Sequence, residues 1–222
     1  MTAFRDRTAA GRALAEALAP LMRPPCVVAA IPRGGVAVAL PIVERFGVPL
    51  TVVYARKLTH PTAPELAFGA LDEDGEATLE PALVAGLGLS PGDIEKAKGE
   101  VWEEIQRRIA LYRVPPLGHY LPGSAVVLVD DGLATGLTMR VALAYARRHG
   151  AREVIVATPC AAVAAAAQFR CAADHFVALT VDARFAAVGQ YYRDFSQLTD
   201  EQVIAMLEHA RRFLAPASTD RG

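Results

Sequence analysis

The chain has 222 residues, 53% hydrophobic and 21% charged, with a formal net charge of -1. That length suffices for one α/β core that buries most of its apolar surface, and the composition is that of a folded globular protein. The near-neutral balance excludes a broad field that would gather nucleic acid or an acidic membrane surface.

In chain order, Phe4, Gly11, Leu14, Leu18 and Leu21 fall near one helical face, ended by Pro20 and the Pro24-Pro25 pair. CVVAAI follows, a short continuous apolar run that reads as a strand buried on both sides. Pro32, Arg33, Gly34 and Gly35 break it, and VAVALPIVERFG predicts a helix that tolerates Pro41 in its interior. LTVVYA, Leu50 to Ala55, is the next expected strand. LAFGALDEDGEATLE offers two short extended runs about an Asp-Gly turn, a hairpin signal. Ser90 and Pro91 are a cap and first-turn pair for a long surface helix with Val101, Ile105, Ile109 and Tyr112 on one side. Trp102 on that helix is an expected anchor for the flap or a dimer contact. AVVLVDD, REVIVAT and DHFVAL supply three more strands, with helices expected at Leu137 to His149 and Ala161 to Phe169. Alternating strand, loop and helix imply a mostly parallel, twisted sheet with helices on both faces.

The expected organisation is a single domain over 1–222, with residues 57–123 as an inserted flap, 181–214 as a C-terminal hood and 215–222 frayed. Cys26, Cys160 and Cys171 form no C-x-x-C pair, so neither a disulfide framework nor a zinc site is indicated; a reducing cytoplasm suits them. No apolar run reaches the length of a membrane span, since Val154 to Ala167 is interrupted by Pro159. The charges at Arg5, Asp6, Arg7, Arg12 and Glu16 stand where a signal peptide needs a continuous apolar centre. The five histidines show no ligand spacing, and Cys160 reads as a buried thiol.

The chemistry lies in two glycine loops. In open parallel sheets ligands gather at the carboxyl ends of strands, where helix N-termini expose backbone amides. ATGLT, Ala134 to Thr138, offers successive amides and two hydroxyls, a cradle suited to a phosphate monoester. PRGG supplies the Arg33 fork and two glycines at a helix start. Between them, Asp130 and Asp131 end a hydrophobic strand, and two such carboxylates need hydroxyls, amides or a cation as partners. A ribose diol beside a divalent metal meets that need. G-x-x-x-x-G-K-[ST] and a strand-linked G-x-G-x-x-G are both missing from the sequence, which argues against the commoner nucleotide signatures.

VVLVDDGLATGLT resembles the phosphoribosyl diphosphate signature of the type I phosphoribosyltransferases. AIPRGGV resembles that family's pyrophosphate loop, and Ala55 to Lys57 the basic end of the following strand. The resemblance implies an α/β type I phosphoribosyltransferase fold with a small hood, a Mg²⁺ ion carried mainly by substrate and aided by Asp130 and Asp131, and, by analogy, a homodimer. It implies ribose contacts for Asp130 and Asp131, and 5'-phosphate contacts for Ala134, Thr135, Gly136, Leu137 and Thr138. Arg33, Gly34, Gly35 and Arg56 would hold pyrophosphate, with Lys57 catalytic. An unusual cis peptide is expected at Arg33-Gly34. The implied reaction moves phosphoribose from phosphoribosyl diphosphate (PRPP) to a ring nitrogen of a base, with pyrophosphate leaving.

The stretch VDARFAAVGQYYRDF is similar to the hood of hypoxanthine-guanine enzymes, and makes Phe185 the candidate for stacking on a purine-like base. Ala134 stands where those enzymes place an acid, so the acceptor base stays open. The flap carries no Lys or Arg from Leu58 to Glu95 and eight acids, so that stretch cannot itself neutralise a diphosphate. The family's mobile loop is expected within Leu58 to Gly75. The alternative reading is a non-catalytic regulator that binds PRPP or a nucleotide in the same pocket.

Overall fold

The computed structural model of the protein describes residues 4–213. The last hood position, 214, and the tail 215–222 lie outside the described residues. Five apolar segments pair in parallel, numbered in chain order: β1 (Cys26–Ala30), β2 (Leu50–Val52), β6 (Ala125–Val129), β7 (Glu153–Ala162) and β8 (His175–Asp182). Their order across the sheet is β2-β1-β6-β7-β8. The expected strand at Leu50 to Ala55 is shorter than predicted, because Val53 to Ala55 leave the sheet to enter the insert.

Each central strand feeds two cores, because successive side chains point to opposite faces. Val28, Ala30, Val127, Val129 and Ile155 pack with α1 (Arg7–Leu18), α2 (Gly34–Phe46) and α7 (Asp200–Ala210). Val27, Ala29, Val126, Leu128 and Val156 pack with α5 (Leu137–Arg148) and α6 (Val163–Ala172). Helices on both faces therefore bury the continuous apolar runs that the sequence shows. Pro41 sits inside α2, buried, and Asp6 caps α1 by accepting from the Ala9 amide at 2.7 Å. Among the described residues, no helix is long and apolar enough to cross a membrane.

The insert holds an antiparallel sheet, β3 (Arg56–His60), β4 (Ala63–Leu71) and β5 (Ala77–Leu79), then α3 (Pro81–Gly86) and α4 (Pro91–Tyr112). The Asp-Gly hairpin is β4–β5, as expected. The β3–β4 pairing and α3 were not foreseen, since register shifts within β3 break the alternation that would mark a strand. The stretch expected to hold the mobile loop is thus mostly paired strand, with its tip at Pro61 and Thr62. Ser90 caps α4, with Asp93 closing the capping box.

Two features bind the insert to the core. Leu58, Phe68, Leu71, Ile105 and Tyr112 share one buried cluster with β1 and β6, and Trp102 packs against Gly75 of the hairpin turn. That turn also docks on the end of α5, where Arg148 Nη2 donates to Asp72 Oδ2 at 2.8 Å and Asp74 Oδ2 at 2.9 Å. The His149 ring lies 2.7 Å from Asp74. Burial works against the Asp74 carboxylate, yet Arg148 and His149 hold it below its usual range.

Replacing Arg148 with Met leaves buried Asp72 without its cation. We expect a loss of about 1–3 kcal/mol in urea unfolding. Amide hydrogen exchange should accelerate first in residues 63–79, where the docking is lost.

Candidate active site

The crevice is set by connectivity. β1 and β6 are parallel neighbours, yet β1 continues through α2 to β2 on one side and β6 through α5 to β7 on the other. Loops leaving adjacent strands in opposite directions open a cleft at the carboxyl edge, the usual ligand position in such sheets. Both glycine loops sit there. Ile31 donates to Val129 at 2.8 Å, which draws the two strand ends together.

Glycine in PRGG is required by close approach. A Cβ on Gly34 would overlap the Asp131 carboxylate, and one on Gly35 would stand 2.6 Å from the Val129 carbonyl oxygen. The loop of β1 therefore lies directly against the acids of β6. The cis peptide is at Pro32-Arg33, one bond before the expected Arg33-Gly34. Arg33 occupies the cap position of α2.

The two acids, expected to act as a matched pair, differ in their partners. Asp131 Oδ2 accepts from Arg7 Nε at 2.8 Å, and its backbone carbonyl accepts from Tyr192 Oη at 2.6 Å. Among the described residues, Asp130 has no cation in contact; its Oδ1 accepts from the Asp131 amide at 2.8 Å. Burial and the neighbouring Asp131 push the Asp130 carboxyl well above the carboxylate range, with Lys57 and Arg7 opposing. Burial also raises Asp131, against the Arg7 hydrogen bond.

Arg7 is a site residue that sequence reasoning passed over. It opens α1, far from either motif, and read as one of several scattered charges. Its guanidinium lies 4.0 Å from the Phe195 ring centroid and donates from Nη1 to the Ser196 carbonyl. Phe4 pairs with Tyr192 in a parallel bridge, so the N-terminal segment is held to the hood at the same place. No local signal marks such a contact.

In the ATGLT loop, Gly136 has φ +69°, and a Cβ there would meet the Phe169 ring at 2.5 Å. Glycine alone satisfies both the left-handed backbone and the packing. The amides of residues 134–138 donate to no backbone carbonyl among the described residues. They face the start of α5, where the helix dipole favours an anion. Leu137 is buried and Ala134 and Thr135 exposed, so the loop turns its hydroxyl outward.

A cavity of about 580 Å³ lies beside these loops, lined by Pro32, Arg33, Arg56, Lys57, Arg108 and Thr138, among others. It brings together both glycine loops and four cations. Arg108 comes from α4, and was not foreseen because the insert's cations lie beyond the acidic stretch. Glu104 accepts from Arg56 at 3.0 Å and Arg108 at 2.9 Å. Arg107, then Arg108 and Arg56, hold Glu104 down to about 2, so it stays ionised. Burial and the charge of Arg108 pull Arg56 below the usual guanidinium range, with Glu104 opposing: the site is crowded with positive charge.

Phe185 sits in the hood and lines neither this cavity nor its neighbour at Thr135. Its ring is 5.1 Å from that of buried Tyr191, whose hydroxyl reaches Asp182 at 3.2 Å. Cys160 is buried, and burial followed by the two aspartates pushes its thiol up to about 12, which suits packing rather than nucleophilic attack. Among the described residues, no group of three or more His, Cys, Asp or Glu forms a metal cage. Asp130, half-buried and in contact with no cation among the described residues, would suit a Mg²⁺ ion that arrives with a phosphorylated ligand.

The raised Asp130 carboxyl has a stability consequence with a definite sign. Between the unfolded value near 3.8 and the higher folded one, the folded chain holds a proton that the unfolded chain has released. Stability therefore falls as pH rises through that window. Asp130→Asn should raise the melting temperature of the ligand-free protein at pH 7, and the gap should close as the pH is lowered to about 4. Thermal unfolding across that range measures it.

Comparison with known proteins agrees with this geometry. Two strain versions of a Mycobacterium tuberculosis protein, each provisionally named a phosphoribosyl transferase, are 42% identical over 217 residues, 98% of this chain. The chain spans about half the length of these curated relatives, 49%. The crystal structure of TT1426 from Thermus thermophilus superposes with a TM-score of 0.78 at 43% identity, covering 94% of this chain and 99% of that one. The family model described as "Phosphoribosyl transferase domain" matches residues 4–168, which include both glycine loops, the acid pair and the insert. On that match, the chain belongs to the phosphoribosyl transferase domain family.

Proposed function

We propose that the protein transfers the 5-phosphoribosyl group from PRPP to a nitrogenous base, purine-like in shape, and releases pyrophosphate. One observation carries the reading. A cavity crowded with Arg33, Arg56, Lys57 and Arg108 and a cradle of free amides at 134–138 open on the same crevice, with the acid pair behind them. A sugar with anionic groups at both ends matches that charge pattern, and a single phosphate does not use all of it.

In this reading the cationic cavity binds the diphosphate, and the 134–138 cradle the 5'-phosphate. Asp130 and Asp131 hold the ribose hydroxyls, with Arg7 fixing the direction of Asp131. Lys57, at the start of β3, is close enough to Asp130 to lower its proton affinity, and lines the cationic cavity where the leaving diphosphate would sit. As the bond to the anomeric carbon breaks, negative charge builds on pyrophosphate where the cations are already placed. Mg²⁺, when bound with the donor, supplies further neutralisation of that charge. The insert excludes water, which would otherwise hydrolyse the donor. Phe185 and the adjacent hood are the proposed seat of the acceptor ring.

The test is to incubate the protein with PRPP, Mg²⁺ and a panel of purine and pyrimidine bases and to follow pyrophosphate release. Release that depends on one base supports transfer. Binding of PRPP with no base-dependent release would leave the protein a regulator and sink the catalytic reading. Lys57→Met and Arg108→Met should each weaken PRPP binding about ten- to a hundredfold, since a hydrogen bond to a charged group contributes about 1.5–3 kcal/mol.

A further inference from the structure

A second cavity, of about 360 Å³, adjoins the 134–138 cradle, sharing Thr135 and Leu137 with the cradle and Lys57 with the cationic cavity. Its other walls belong to the insert: Leu66 and Ala67 of β4, and Leu83 and Leu87 at α3. The volume lies within the usual range of small-molecule sites, about 300–1,000 Å³. Leu66 and Leu83 are 45% and 47% exposed, two of the few large hydrophobic side chains that the described surface leaves open. Arg140, in the first turn of α5, pairs with Glu80, yet its Nε is buried with no hydrogen-bond partner among the described residues. Glu65 stands at the lining as an acceptor.

These features ask for a particular chemistry. Leucine walls favour a planar apolar ring, the Lys57 ammonium and the Arg140 guanidinium favour a phosphate, and Glu65 accepts from an amino group. The ring and the phosphate must be joined, since both lie within one cavity beside the cradle. We propose that this cavity takes an amino-bearing aromatic base linked through a second phosphate to the phosphate in the cradle. The site then receives a ribose 5'-diphosphate nucleoside, the class to which ADP-ribose belongs. The proposal rests on the reading that residues 134–138 hold the 5'-phosphate, and adds that this phosphate can be esterified.

Titration calorimetry on the full chain, with ribose 5-phosphate and ADP-ribose as probes, tests it without a catalytic step. ADP-ribose should bind at least about tenfold more tightly than ribose 5-phosphate. Leu83→Asp, on an already exposed position, should bring the two to within about threefold and leave ribose 5-phosphate binding unchanged. Leu66→Asp, on the facing strand, should do the same, and a melting curve for each variant shows that the fold is kept. Equal binding of the two probes, or an ADP-ribose advantage untouched by both variants, overturns the proposal. If neither probe binds, or if Thr135→Val leaves ribose 5-phosphate binding intact, the 5'-phosphate reading itself falls, which is a different result.

Discussion

The whole site depends on how closely the loop after β1 can lie on the acids after β6. Gly34 and Gly35 have no Cβ, so the PRGG backbone rests against the Asp131 carboxylate and the Val129 carbonyl. Any side chain at these positions would push the Arg33 loop away from the crevice. The rest follows from that contact: Arg33 reaches the cationic cavity, α2 starts at the sheet edge, and Asp131 is directed toward Arg7. A strand pairing of five residues between β1 and β6 sets the height at which the two loops meet.

The resting site is electrostatically unsatisfied in two opposite ways. Asp130 stands half-buried beside a second carboxylate, and four cations crowd the neighbouring cavity, of which Arg56 and Arg108 share Glu104 as counter-ion. Each arrangement costs stability in the empty protein, because desolvated like charges repel. An anionic ligand carrying hydroxyls relieves both at once. Arg7 opposes protonation of the acid pair and holds the Asp131 carboxylate in an ion pair. Tyr192 and Phe195 hold Arg7 in turn, and Tyr192 donates to the Asp131 carbonyl, so the hood influences the acids.

The insert does more than cover the crevice. Its β3 begins with Arg56 and Lys57, α4 contributes Arg108, and β4 with α3 forms the leucine-lined wall beside the 134–138 loop. The acidic turn at Asp72 and Asp74 is spent on Arg148 and His149, far along α5, so those acids oppose no phosphate. Trp102 and Ile105 keep α4 on the same apolar cluster as the sheet, which fixes Arg108 relative to Arg56.

Much of this was legible in local sequence. The continuous apolar runs CVVAAI and AVVLV marked the central parallel strands, Ser90 with Pro91 marked the start of α4, and VVLVDDGLATGLT marked the acids and the glycine loop after β6. These features are determined by neighbours in the chain: capping, strand burial and glycine backbone freedom act over a few residues. What only the tertiary structure decided was which charges meet. Arg7 reaches Asp131 across 124 residues and Arg56 reaches Glu104 across 48, and the β3–β4 pairing is broken by register shifts that hide its alternation. Such contacts leave no periodic or local trace, because a long side chain finds its partner only after the packing of α1 on the sheet and of α4 on β3 has brought the two backbones together.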